Sequence, residues 1–125
     1  MSCSFRAAAT LIALGSILSH SADAADPTAG QAVFRTQCGV CHSVVQGKNM
    51  VGPSLFGLIG RTSGSVEGFR YSAANKGANI TWSAETLDKY LIAPREVIPG
   101  TIMTYAGLKD DTKRADLIAY LETLH

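Results

Sequence analysis

Apolar positions along the chain fall into one early run and three helical stripes, separated by a long glycine-punctuated stretch. The early run, Ala7 to Leu18, follows Arg6 and precedes Ala22-Asp23-Ala24. One early positive charge, a short apolar core and a small-x-small triplet read as a secretory signal cut after Ala24. The run is shorter than the roughly 18 to 20 apolar residues a spanning helix needs. The expected division is therefore a signal peptide at 1–24 and one domain at 25–125.

The first stripe begins at Asp26-Pro27, an N-cap followed by proline at the first helical position. Ala29, Val33 and Phe34 then recur at helical spacing as far as Gln37. The second begins at Ser83, with Glu85 in its first turn and Leu87, Tyr90 and Leu91 on one face; Pro94 stops it. The third begins at Asp110 or Asp111 and carries Leu117, Ile118, Leu121 and Leu124 as its apolar stripe. Lys113, Arg114 and Glu122 are expected on the surface.

Residues 39 to 80 show no strand alternation and hold Gly47, Gly52, Gly57, Gly60, Gly64, Gly68 and Gly77. Short helices are expected at 72 to 76 and at 54 to 60. So long an irregular stretch is unusual in a compact domain. It becomes reasonable if the loops wrap a solid body.

Composition narrows the function. The 125 residues carry 11 basic and 10 acidic side chains. Removal of the signal takes Arg6 and Asp23, one of each sign, so the net charge stays at +1. A near-neutral chain lacks the clustered Lys and Arg that nucleic-acid binding rests on. No stable membrane insertion is expected once the signal is cleaved. Cys3 and His20 leave with the signal, and Cys3 is not placed at a lipoprotein cleavage site. The exported domain then keeps Cys38 and Cys41, His42 and His125, Met50 and Met103.

Cys38-Gly39-Val40-Cys41-His42 is a C-x-x-C-H run, the pattern of covalent haem attachment. Two thiols at this spacing can add across the two haem vinyl groups as thioethers. The next residue then presents an imidazole to the iron. A structural zinc site would need four ligands, and no second cysteine pair is present. A thioredoxin-like redox pair would need a βαβ context, which the pattern lacks.

The second axial position decides the chemistry. An open position gives gas binding or peroxidase activity; a thioether gives a closed iron suited to electron transfer. Met50 lies eight residues past His42 in a glycine-flanked loop, too near in sequence to reach the opposite face. Met103, in Pro99-Gly100-Thr101-Ile102-Met103 before the last helix, is the expected ligand. His125 is terminal and expected in solvent.

With these residues in place the chain resembles the class I cytochrome c family, the mitochondrial protein and its periplasmic bacterial relatives. The likeness extends from Cys38–His42 through Gly52-Pro53-Ser54-Leu55-Phe56-Gly57, Gly60-Arg61 and Gly68 to Lys76. It continues through Ile80-Thr81-Trp82 and Pro99 to Met103, and ends in Asp116 to Leu121. It implies an all-α fold: three main helices, short helices and long loops around one covalently bound haem c.

The resemblance also implies roles. The Pro53 carbonyl would accept from the His42 ring. Arg61, Tyr71 and Trp82 would hold the haem propionates. Tyr90, Asn75 and Thr101 would form a polar network at the Met103 sulfur. Gly30 and Phe34 would cross Leu117 and Tyr120. The chain would be a monomeric periplasmic electron carrier and not an enzyme. It would take electrons from a quinol–cytochrome c reductase or a periplasmic dehydrogenase and pass them to a terminal oxidase or photosynthetic reaction centre. A dedicated electron-transfer subunit is the alternative. A haem peroxidase or gas-binding protein is the more distant one.

One departure stands out. Mitochondrial members ring the exposed haem edge with lysines. Here Gln37 and Ile102 occupy such positions, Arg95 is followed by Glu96, and Lys109 by Asp110 and Asp111. Weak electrostatic steering is expected, with an apolar contact surface around Gln37, Ile102 and Tyr105.

Overall fold

A computed structural model describes residues 23–125. The predicted signal at 1–24 lies outside the described residues except for its last two. Five helices follow in order: α1 (Pro27–Gln37), α2 (Ala73–Gly77), α3 (Ala84–Ile92), α4 (Pro94–Val97) and α5 (Asp111–Glu122). Among the described residues the only β pairing is an isolated antiparallel bridge, Thr62 to Thr81. The domain is all-α, as the resemblance implied. No helix among the described residues is long and apolar enough to cross a membrane.

The helix starts follow their caps. The Asp26 carboxylate accepts from the Thr28 amide at 2.8 Å, and its own amide donates to the Asp116 carboxylate at 2.7 Å. That second bond ties the start of α1 to α5. Ser83 and Thr86 form a reciprocal capping box at α3, and the Asp110 carboxylate caps the Lys113 amide of α5. Pro94 ends α3 and also opens α4, since a proline ring suits the first position of a helix.

α1 crosses α5 closely because position 30 is glycine; a Cβ there would overlap the Asp116 carbonyl oxygen. Phe34 then stacks on Tyr120 with ring centroids 5.6 Å apart. Leu117 of α5 is wholly buried beneath them. α3 leans on the same helix and contributes Leu87, Tyr90 and Leu91, with Trp82 tilted against Tyr90 at 4.8 Å.

Two expectations need correcting. Residues 54 to 60 form turns, not a helix. Gly57 (φ 66°) and Gly60 (φ 83°) both adopt left-handed conformations that a right-handed helix excludes. The Ser54 hydroxyl also draws in the Phe56 amide, fixing a local turn. Arg114 is buried, only 5% exposed, rather than on the surface. It lies one turn before Leu117 and Ile118 and therefore within their stripe. Its guanidinium is satisfied there by Asp88 and Asp111 at 2.7 Å and by the Leu108 carbonyl at 3.0 Å.

Candidate haem site

The end of α1 delivers the motif. The Cys38 and Gly39 amides both donate to the Phe34 carbonyl, and the His42 amide donates to Cys38. These bonds wind residues 38–42 into a compact turn on the last turn of α1. Both thiols are free and half-buried. Burial, with Cys41 alongside, pushes the Cys38 thiol up to about 11.

The His42 imidazole is held from two directions. Its Nδ1 lies 2.8 Å from the Pro53 carbonyl, which can only accept, so Nδ1 carries the proton and Nε2 keeps a free lone pair. Gly52 supports the other face, where a Cβ would overlap the ring. Burial holds the imidazole pKa below the ordinary histidine value, against the pull of Pro53 and with help from the Arg61 charge. The result is a neutral, oriented imidazole, the form that binds a metal.

Cys38, Cys41, His42 and Met103 all line one cavity of about 530 Å³. Its walls are otherwise mostly apolar, with Leu58, Leu87, Leu91, Leu117 and Leu121 among them. Met103 sits on the strap between α4 and α5. The Tyr90 hydroxyl donates to its sulfur at 3.2 Å. Burial raises the Tyr90 pKa, and Thr101 opposes that rise. The Thr101 hydroxyl also accepts from the Met103 amide at 3.2 Å.

Arg61, Tyr71, Asn75 and Trp82 line the cavity as well. One arm of Arg61 donates to the Ser54 and Phe56 carbonyls at 2.9 and 3.2 Å. The Tyr71 hydroxyl accepts from the Val66 amide. Asn75 lines the same cavity as Tyr90, Thr101 and Met103. Its carboxamide oxygen is taken by the Ser72 hydroxyl at 2.8 Å, because Ser72 caps α2 and Asn75 lies three residues on. Met50 is not part of the wall, and His125 is exposed at the chain end.

An apolar cavity walled by two free thiols, a neutral imidazole and a thioether fits a covalently attached haem, and defines a c-type haem protein. The cytochrome c family model matches residues 27–125. Cytochrome c2 of Rhodopila globiformis is 49% identical over 104 residues, covering 83% of this chain and 98% of that protein. Cytochrome c2 of Blastochloris viridis is 53% identical over 102 residues, covering 81% and 80%. Cytochrome c of Euglena viridis is 48% identical over 99 residues, covering 79% and 97%. The chain belongs to the cytochrome c family. It carries one covalently attached haem c and is an electron carrier, not an enzyme.

Proposed function

We propose that this protein is a periplasmic shuttle with a closed, six-coordinate His/Met iron. The observation that carries the reading is the convergence of Cys38, Cys41, His42 and Met103 on one cavity. Cys38 and Cys41 would hold the haem as thioethers, each S–H adding across one vinyl C=C. His42 Nε2 and Met103 Sδ would be the side-chain atoms that bind its iron. When bound, the haem supplies a one-electron Fe(II)/Fe(III) couple.

The other wall residues set its surroundings. The Pro53 carbonyl fixes the imidazole tautomer and raises its basicity. Arg61, Tyr71 and Trp82 present donors to the propionates, and Arg61 adds a positive charge that favours them ionised. Tyr90, positioned with Thr101, donates to the sulfur. Asn75, its carboxamide oxygen held by Ser72, would join Tyr90 and Thr101 in the polar network at that sulfur.

The signal pattern at 1–24 supports export to the periplasm, and a carrier that must diffuse between partners would be a monomer. A quinol–cytochrome c reductase or a periplasmic dehydrogenase would donate electrons. A terminal oxidase or photosynthetic reaction centre would accept them. A visible spectrum of the matured protein tests the iron assignment, taken oxidised, reduced, and reduced under carbon monoxide. An oxidised iron–thioether charge-transfer band with no carbon monoxide response is expected. A ready shift under carbon monoxide would overturn the closed site.

A further inference from the structure

The peptide between Pro53 and Ser54 is bonded at both edges. Its carbonyl lies 2.8 Å from His42 Nδ1 and accepts that proton. Its N–H, the Ser54 amide, donates to the Asn49 carboxamide oxygen at 3.0 Å. Among the described residues Asn49 is the only acceptor that amide has. The carboxamide is oriented from both sides: the Ser54 N–H can only donate, and the Glu67 carbonyl, 3.5 Å from Nδ2, can only accept. The Met50 amide donates to the Gly52 carbonyl at 2.9 Å and closes the turn that brings Asn49 back beside Ser54. The rest of the segment is pinned independently of Asn49. The Ser54 hydroxyl donates to the Val45 carbonyl at 2.7 Å, the Leu55 amide to the Ser43 carbonyl at 2.9 Å, and Arg61 to the Ser54 carbonyl at 2.9 Å. Asn49 itself is half-buried and does not line the cavity.

We propose that Asn49 is a positioning residue for electron transfer: it polarises the Pro53–Ser54 peptide and so strengthens the carbonyl that accepts from His42. The inference rests on the assignment of His42 to the iron. A trans peptide directs its N–H and C=O to opposite edges of one conjugated plane. An acceptor on the N–H moves charge onto the carbonyl oxygen, and hydrogen bonds in such a chain strengthen one another by about 10–30% each. A stronger acceptor draws the Nδ1 proton further from the ring and makes Nε2 the better donor to oxidised iron. Asn49 then holds the reduction potential down through Pro53 and His42, without touching any group assigned to the iron.

The test uses reduced, diamagnetic holoprotein, in which NMR reads the His42 Nδ1–H resonance. Redox titration at high ionic strength reads the potential, and denaturant unfolding reads stability. Asn49→Ala removes both the acceptor for Ser54 and the donor to Glu67. Asn49→Asp removes only the donor and leaves a charged, stronger acceptor for the Ser54 amide. Asn49→Ala is expected to move the Nδ1–H proton upfield and raise the potential. Asn49→Asp is expected to move that proton downfield and lower the potential. High salt screens the general field of the added charge, so the remaining shift is carried by the bond. Both variants are expected to unfold at lower denaturant than the wild type, since both lose the bond to Glu67. A purely structural role would move both variants the same way in every readout. Variants that shift together, or an Asn49→Ala resonance and potential equal to the wild type, overturn the proposal. If Asn49→Ala does not yield holoprotein, Asn49→Asp decides alone, and an unmoved or upfield proton overturns it. Wild-type His42 ring protons without a large ring-current displacement would take His42 off the iron and overturn both this proposal and the His/Met site. Displaced ring protons with an Nδ1–H indifferent to position 49 overturn the role of Asn49 alone.

Discussion

Gly30 of α1 and Asp116 of α5 approach so closely that no side chain fits between them: a Cβ at position 30 would overlap the Asp116 carbonyl oxygen and lie 2.9 Å from the Tyr120 Cβ. The obstacle is backbone, which cannot rotate away. Gly30→Ala should therefore push the two helices apart and separate Phe34 from Tyr120. A loss of about 2 to 3 kcal/mol is expected, at the upper end of overpacking costs, despite the better helix propensity of alanine. Denaturant unfolding of the holoprotein measures it, and stability equal to the wild type would mean the crossing is looser than the structure has it.

The same crossing shows how much of the fold was legible in the sequence. Phe34 and Leu117 could be read because helical periodicity is a local property, while their crossing with Gly30 and Tyr120 came from the resemblance to the family. Asp26, Ser83 and Asp110 mark helix starts for the same reason. The site was legible where spacing carries chemistry: Cys38, Cys41 and His42 fall within one short run, and Met103 was reached by excluding Met50. What could not be read depends on tertiary partners. Arg114 looks like a surface residue until Asp88, Asp111 and the Leu108 carbonyl are brought around it. Residues 54 to 60 look helical until the conformations of Gly57 and Gly60 are known. The hydrogen bond that occupies Asn75 follows from Ser72 capping a helix of only five residues, too faint a pattern to assign a side chain's partner.

Gly52 supports the His42 ring in the way Gly30 supports the helix crossing, but its neighbour is a side chain that can move. A Cβ at 52 would lie 2.6 Å from Nδ1 and 2.8 Å from Nε2. Gly52→Ala should tilt the imidazole away and weaken the Nδ1–H bond to the Pro53 carbonyl. The expected cost is about 1 to 3 kcal/mol from overpacking, accompanied by a partial high-spin signal in the oxidised visible spectrum. A destabilised variant with an unaltered spectrum would show that the clash is relieved elsewhere.

Arg114 joins α5 to α3 through Asp88 and to the strap after Met103 through the Leu108 carbonyl. The Asp88 and Asp111 side chains are 50% and 91% exposed, so the pairings are screened and contribute little as Coulomb attraction. The larger share comes from the carbonyl, which loses its side-chain donor if the guanidinium is removed. Arg114→Met should cost about 1 to 3 kcal/mol on that ground. Arg114→Lys should recover only part of it, because an ammonium cannot reproduce the planar fork. Equal stability of the two variants, measured by thermal unfolding of the holoprotein, would show that the fork geometry does not matter.

The Tyr90 hydroxyl donates to the Met103 sulfur at 3.2 Å, drawing electron density from the atom assigned to the iron. A thioether relieved of that bond is a better donor to Fe(III). Tyr90→Phe should therefore lower the reduction potential, read by equilibrium redox titration. An unchanged or raised potential would mean that the hydroxyl does not donate to the sulfur in the holoprotein.

Met103→Ala separates attachment from ligation. The thioether bonds of Cys38 and Cys41 do not depend on position 103, so the haem should remain covalently bound through denaturation. The axial position should open, and the reduced protein should bind carbon monoxide where the wild type does not. Stability should also fall by about 2 to 5 kcal/mol, since a buried thioether leaves a cavity beside Tyr90 in addition to the lost ligand. Three readouts keep the causes apart: pyridine haemochrome after acid treatment reports attachment, the carbon monoxide difference spectrum reports the open position, and denaturant unfolding reports packing. A variant that loses stability yet stays closed to carbon monoxide would place a different side chain on the iron. A variant that opens with no loss of stability would place the Met103 side chain on the iron but outside the packed core.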